Sequence, residues 1–267
     1  MKIKCLTIAG FDGSGGAGIQ ADLKTFSALG CYGMTVLTAL PVQNTCGVRN
    51  CYEIPLQAIQ DQLEAIFEDI IPNSIKIGML FSSPIIELVA DFLKKHCQNI
   101  PIVVDPVMVA KSGDALLLPD AVEFLKKKLI PLAAILTPNL PEAQALVGDL
   151  NDSEKLSAAL LELGPQSVLL KGGHSLQNTC NDLFVTQHGI SHWLKAERIH
   201  TKNTHGTGCT LSSAICCFLA QGFTPLEACQ KAKEYLLGAI EASQENSVGL
   251  GHGPVHHFYH LWSRLSY

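Results

Sequence analysis

The chain has 267 residues, 47% of them hydrophobic and 16% charged, with a formal net charge of −5. That length and apolar content can bury the core of one α/β domain over residues 1–267. The acidic balance, with no Lys/Arg-rich stripe, argues against a nucleic-acid partner, and no apolar run approaches the ~20 residues that cross a bilayer.

In chain order, residues 3–10 read as a short apolar strand and not as a signal peptide, which points to the cytoplasm. Asp12-Gly13-Ser14-Gly15-Gly16-Ala17-Gly18 follows and leads into a helix at about 17–29. The loop holds a formal G-x-G-x-x-G, but a dinucleotide site wants an acidic residue closing the next strand, and the strand at 33–42 runs out in Leu40-Pro41-Val42-Gln43-Asn44 without one. A loop closing on a small substrate and a tight turn that needs glycine remain as the stronger readings. No G-x-x-x-x-G-K-[ST] occurs, so the chain is not a P-loop enzyme.

Helices at about 55–70 and 83–97 flank a strand at 75–80, and the strand at 101–105 ends in Asp105-Pro106. A helix at about 119–128 precedes a strand at 132–136, then Asn139-Leu140-Pro141-Glu142, and helices at about 140–148 and 153–163. The strand at 167–171 closes in Lys171-Gly172-Gly173-His174, where a lysine beside flexible glycines can reach a phosphate as a point charge; a solvated lysine is the alternative. A short β region lies near 181–200.

The N-T-H-G-T-G-C-T stretch at 203–210 then opens a helix at 207–221, on which Leu211, Ala214, Ile215, Phe218 and Leu219 recur at helical spacing; a last long helix covers 225–240. A helix beginning at Gly206-Thr207-Gly208 turns unpaired N–H groups and its positive dipole end toward whatever lies in front of it. It reads as an anion hole. Cys209 falls in its first turn, where that field is expected to lower the thiol pKa.

Strand runs with little alternation, separated by helices, imply a mostly parallel sheet between two helical layers, with ligands beyond the carboxyl ends of the strands. Asp105, Asn139 and Glu142 then share one edge. Carboxylates beside an anion hole would repel phosphates unless Mg²⁺ sits between them, which points to a metal-nucleotide. An N-cap or strand-end role for Asp105 and a first-turn helix charge for Glu142 are the alternatives.

The ten cysteines show no C-x-x-C pair, and Cys5, Cys216, Cys217 and Cys229 sit in apolar runs as small hydrophobes; all but Cys209 read as structural thiols. His256, His257 and His260 lack a neighbouring carboxylate or cysteine and read as a partly exposed terminal segment in preference to a metal site.

With these motifs in order, the sequence resembles the ribokinase superfamily and, within it, is similar to the bacterial hydroxymethylpyrimidine/phosphomethylpyrimidine kinases of thiamin synthesis. The resemblance rests on A-G-F-D-G-S-G-G-A-G-I-Q-A-D-L-K-T at 9–25, V-Q-N-T at 42–45, D-P-V-M-V-A-K-S-G at 105–113, T-P-N-L-P-E-A at 137–143, K-G-G-H at 171–174, the 203–210 stretch and G-H-G-P-V-H-H-F at 251–258. Many ribokinase relatives carry aspartate where this chain has Cys209; the pyrimidine kinases and a related group of pyridoxal kinases carry cysteine. One departure is Gly13, where the pyrimidine kinases commonly have proline.

The resemblance implies a ribokinase-like three-layer sandwich. It implies ATP and Mg²⁺, and a small-molecule pyrimidine substrate phosphorylated on its hydroxymethyl group and then on the monophosphate; a homodimer is expected. Gln43 would bond the aminopyrimidine, with Asp12 and Gly10 in the same pocket and Val42 and Met79 as its apolar wall. Asp105 and Glu142 would organise Mg²⁺, Asn139, Lys171 and Lys233 would serve the nucleotide, and Gly206, Thr207, Gly208 and Cys209 would form the catalytic anion hole. Pyridoxal/pyridoxine phosphorylation on the same fold is the near alternative, and a non-catalytic nucleotide-binding protein the distant one.

Overall fold

The computed structural model describes residues 2–109, 113–114, 116–118, 120–173, 178–244 and 247–262. Its strands are β1 (Lys4–Ala9), β2 (Tyr32–Leu37), β3 (Ala39–Asn44), β4 (Gly47–Glu53), β5 (Ser74–Ile77), β6 (Ile102–Val104), β7 (Ile135–Leu136), β8 (Ser167–Leu170), β9 (Asp182–Thr186) and β10 (Ser191–Leu194). Its helices are α1 (Gly18–Ala28), α2 (Leu56–Asp69), α3 (Ser83–His96), α4 (Ala121–Phe124), α5 (Leu140–Val147), α6 (Ser153–Leu161), α7 (Thr207–Ala220), α8 (Pro225–Glu241) and α9 (Tyr259–Trp262).

Eight strands form one sheet in the order β10-β9-β8-β7-β6-β5-β1-β2. All neighbours from β8 to β2 run parallel, and β9 and β10 close the far edge antiparallel. Strand alternation sorts the core into two. Leu6, Ile8, Ile75, Ile77 and Val104 face a layer holding α2 to α6, whereas Cys5, Val103, Ile135 and Leu169 face α1, α7 and α8. The chain is a three-layer α/β/α sandwich, the architecture the resemblance implies.

The helices carry their start signals in the sequence. Asn139 and Glu142 form a reciprocal capping box on α5, and Thr224 and Glu227 do the same on α8, each with proline in the first turn. The helix expected at 119–128 keeps α geometry only over α4, and Pro119 lies outside the described residues. Beyond it the chain widens into a π-helical turn over Leu125–Leu129 and tightens over Ile130–Leu132, where Pro131 has no N–H to continue the ladder.

The strand expected at 33–42 breaks at Thr38, which donates its hydroxyl to Met79 O at 2.6 Å and its N–H to Ala9 O at 3.0 Å. β3 then leaves the main sheet and pairs with β4 in a two-stranded antiparallel flap. β4 gave no sequence signal because Gly47-Val48-Arg49-Asn50-Cys51-Tyr52-Glu53 buries no face.

The C-terminal histidines also depart from expectation. His257 is buried, its Nε2 lying 3.1 Å from Thr210 Oγ1 at the start of α7; His256 stacks edge-on against Trp262, and His260 Nε2 meets Ala28 O. Burial, with the Lys24 and His256 charges adding, pushes the His257 imidazole down to about 3. The unfolded chain therefore binds this proton below about pH 6.5, and the folded one does not. The contribution of His257 to stability is complete above that pH and is lost as pH falls toward 3. The urea midpoint should drop across this window, and His257→Gln should flatten the drop; an equal slope in both proteins refutes the assignment.

Candidate active site

β1 hands on to β2 on one side and has β5 on the other, so the strand order reverses between β1 and β5. A cavity of about 760 Å³ opens at the carboxyl ends of these strands. Gly10 lines it from the end of β1, Asp105 from β6, Glu142 from α5, Lys171 from β8 and Cys209 from α7. Strands far apart in sequence thus deliver their terminal residues to one place.

The N-terminus of α7 forms one wall. Gly206 has φ +76, and a Cβ there would lie 1.8 Å from Gly16 O, so only glycine lets this turn seat against the 12–18 loop. A Cβ on Gly208 would stand 3.4 Å from Asp105 Oδ2 and 3.5 Å from Lys171 Nζ. The first turn of α7 therefore faces the acidic and basic groups directly. Thr207 Oγ1 turns back to Thr204 O at 3.1 Å and braces the entry to the helix.

Cys209 differs from expectation. Burial pushes its thiol up to about 11; the Lys76 ammonium opposes this, and the Asp22 and Asp105 carboxylates add to it. Desolvation by the packed core outweighs the favourable helix field, so the sulfur is a thiol at neutral pH.

Asp12 also departs from the pocket role. Its carboxylate accepts from Ser14 N and Oγ, from Gly16 N and from Ala17 N, and meets His205 Nε2 at 2.8 Å. Burial alone would raise its pKa, but the His205 and Ser14 hydrogen bonds outweigh it and bring the group down to about 2. Asp12 is fully buried, orders the glycine loop and ties it to the turn before α7.

Opposite α7, Lys171 Nζ lies 2.9 Å from Asp105 Oδ1 and 3.9 Å from Glu142 Oε2. Thr137 Oγ1 and Ser212 Oγ donate to the two oxygens of Asp105 at 3.3 Å each. Burial lowers the Lys171 ammonium, yet Asp105 and then Glu142 hold it up at about 12. Burial raises Glu142, Lys171 opposes, Asp105 adds, and the carboxyl stands at about 7. Two nearly buried carboxylates share one ammonium. Their oxygens are the hard donor set that suits a small divalent cation, and a second positive charge would relieve their repulsion. The Asn139 side chain lines the cavity and accepts Glu142 N at 2.8 Å, so it caps α5 from within the site.

Gln43, Gly10 and Met79 meet in the same cavity. Gln43 Nε2 donates to Phe11 O at 3.2 Å, which uses one of its two N–H bonds and aims the carboxamide. Val42 does not join them: it is 43% exposed, because strand alternation along β3 turns it outward. Lys233 is removed from the expected nucleotide contact as well. It donates to Cys180 O at 2.6 Å and Asp182 Oδ2 at 2.7 Å, and Asp182 Oδ1 accepts Gly172 N at 2.9 Å. It holds the glycine loop after β8 from behind.

Sequence reasoning missed His205 and the fully buried ion pair of Asp22 with Lys76, whose Nζ reaches both carboxylate oxygens at 2.9 and 2.8 Å. A lysine inside the apolar run Ser74-Ile75-Lys76-Ile77 was the available signal. Ala110, Lys111 and Ser112 of the 105–113 motif, and His174, lie outside the described residues.

The family described as phosphomethylpyrimidine kinase matches this chain over residues 12–256. The hydroxymethylpyrimidine/phosphomethylpyrimidine kinase of Rhizobium meliloti is 47% identical over 267 residues, covering 98% of this chain and 99% of its own. The thiamine biosynthesis bifunctional protein ThiED of Geobacter sulfurreducens is 48% identical over 256 residues, 94% of this chain and 51% of that protein. Among solved structures, the pyridoxal kinase of Staphylococcus aureus in complex with AMP-PCP and pyridoxal superposes with a TM-score of 0.86 at 35% identity, covering 97% of this chain and 94% of that one.

Proposed function

Because the chain belongs to the phosphomethylpyrimidine kinase family, we propose that it is a kinase that transfers the γ-phosphoryl group of ATP to 4-amino-5-hydroxymethyl-2-methylpyrimidine and then to its monophosphate, as a step of thiamin biosynthesis, with residues 1–267 acting as one kinase domain. The observation that carries the reading is that the start of α7, Gly206 to Cys209, and the Asp105–Lys171 pair line one cavity of about 760 Å³, so a helix N-terminus and a fixed ammonium face the same space for an anionic group.

In this reading the N–H groups of Gly206 to Cys209 receive the equatorial oxygens of the transferred phosphoryl group, and Lys171 neutralises charge on the donor side. Asn139 presents its amide toward the nucleotide phosphates. Asp105 and Glu142 would hold Mg²⁺, which would supply positive charge against the nucleotide phosphates. The bond from the γ-phosphorus to the bridging oxygen breaks as the hydroxymethyl oxygen bonds to phosphorus, and the hydroxyl proton passes to the thiolate form of Cys209, a minor population at neutral pH that grows as pH rises. In the second round the acceptor is a phosphate oxygen already largely ionised, and no proton needs removal. Gln43 and Met79 hold the aminopyrimidine edge and face, with Gly10 allowing close approach.

Coupled turnover of ATP with the hydroxymethylpyrimidine, against pyridoxine, tests the substrate. Greater kcat/KM for the pyrimidine is expected, and ATP turnover with pyridoxine alone would sink this reading in favour of a pyridoxine kinase. ATP binding without turnover on either alcohol would leave only a nucleotide-binding protein.

Two substitutions probe the pocket. Gln43→Leu leaves two polar edges of the pyrimidine unmet and should cost roughly 2–4 kcal/mol in transition-state binding, read as lower kcat/KM. Wild-type kcat/KM in that variant removes Gln43 from the pocket. Glu142→Gln keeps the capping box, because glutamine also serves at that helix position, but removes one charge from the donor set. Its Mg²⁺ titration should move to roughly tenfold higher concentration, and an unmoved titration excludes Glu142 as a ligand.

The homodimer expectation has a surface to fit it. Leu40, Val42 and Tyr52 project from one face of the β3–β4 flap at 36%, 43% and 57% exposure. We propose that this face pairs two copies. Sedimentation of wild type against Val42→Glu tests it: monomeric wild type refutes the pairing, and a dimer that survives Val42→Glu moves it to another face.

A further inference from the structure

We propose that Cys5, Cys31 and Cys217, none of which lines the cavity, form a three-sulfur site for a soft monovalent cation of the Cu(I) class, separate from the kinase reading. The three residues come from β1, from the turn between α1 and β2, and from α7, and their sulfurs lie within 4.8 Å of one another. Their exposures are 0%, 1% and 0%. Among the described residues this is the one group of three or more His, Cys, Asp or Glu side chains whose ligating atoms converge so closely.

The donor set selects the ion. Three thiolates favour soft, thiophilic metals over hard cations, and a structural zinc site takes four ligands, whereas a d¹⁰ monovalent ion is satisfied by three sulfurs in a plane. The sulfurs already act as a unit. The neighbouring Cys217 and then Cys5 lower the Cys31 thiol, Cys216 and then Cys217 and Cys31 raise Cys5, and burial raises Cys217. Gln221 Nε2 lies 3.8 Å from Cys31 Sγ and donates to Leu29 O at 3.0 Å, fixing the turn and supplying a donor to a charged sulfur.

Gly30 and Tyr32, on either side of the buried Cys31, are exposed, and Gly30 holds a left-handed turn at φ +77. On binding, three sulfur–metal bonds form, three S–H bonds break, and three protons pass to solvent with no change in oxidation state. Because the ion would link β1, the α1–β2 turn and α7 in the native state alone, it should also stabilise the fold.

The test titrates the reduced full-length chain with Cu(I) under anaerobic conditions against a colorimetric Cu(I) chelator. One equivalent should be withheld from the chelator, with a rise in ultraviolet thiolate-to-copper absorption, proton release and a higher Tm. Cys31→Ser and, separately, Cys217→Ala should lose that equivalent, and Cys97→Ser, which removes a buried thiol elsewhere, should keep it. Circular dichroism and ATP turnover check that each variant is folded. Surrender of all copper to the chelator by the wild-type chain overturns the site. Retention of the same equivalent by folded Cys31→Ser or Cys217→Ala overturns it equally.

Discussion

A Cys209→Ala variant is expected to phosphorylate the neutral alcohol ~10²–10⁴-fold more slowly, the usual span for a positioned base, while phosphorylation of the monoester falls much less. The contrast comes from the acceptors. A hydroxymethyl group must shed a proton as it bonds to phosphorus, whereas a phosphate monoester is already largely ionised near pH 7. The substitution keeps the backbone N–H groups of the α7 turn, so the part of the site that stabilises charge survives in both reactions. Because burial sets the sulfur at about 11, its basic form grows as pH rises through neutrality and above. The wild-type first step should therefore accelerate with pH and the second should not. Measuring the two half-reactions separately decides the matter: equal losses in both would make Cys209 a shaping residue of the anion hole, and no loss in either would make it an ordinary helix cysteine.

The second large effect is on stability. Lys76→Met should destabilise the fold by ~3–5 kcal/mol, because it leaves a buried carboxylate without its counter-charge. Asp22 and Lys76 are both fully buried, and Asp22 also accepts from Thr7 Oγ1 and Ser213 Oγ at 2.6 Å each. One carboxylate thereby joins β1, β5, α1 and α7 beneath the anion hole. Burial opposes the Lys76 charge, and Asp22, with smaller contributions from Cys209 and Asp105, keeps the ammonium above its ordinary value. Removing both charges in Lys76→Met/Asp22→Leu should restore much of the loss, since no ion is then left in the core. Urea unfolding of the two single variants and the double variant reads the coupling. A Lys76→Met midpoint equal to wild type, or a double variant as unstable as the summed singles, would falsify the pair as an electrostatic unit.

The elements that were legible from the sequence are those whose signal is local. Continuous apolar runs at 3–10, 101–105 and 167–171 place β1, β6 and β8 because a strand covered on both faces must be apolar throughout. Asn139 with Glu142 marks the start of α5 because a cap acts over three residues, and the two glycines at 206 and 208 mark the turn that α7 needs. From strand ends alone, Asp105 and Glu142 could be assigned to one edge and Lys171 to the end of the following strand, and Lys171 meets them there at 2.9 and 3.9 Å.

What the fold alone decided depends on which groups come together from afar. Val42 and Gln43 are adjacent in sequence, yet the flap that β4 completes turns one to solvent and the other into the cavity. Asp12 finds His205, Lys233 finds Asp182, and Asp22 finds Lys76 and Ser213, each across a stretch that no local pattern records. The Cys209 thiol shows the same limit most plainly: the helix start that favours its ionisation is written in residues 206–208, but the burial that reverses the sign is supplied by the packed layers around it. Local propensity and capping act through neighbours in the chain. Desolvation and charge pairing act through neighbours in space, and only the folded sheet brings those within a few ångströms.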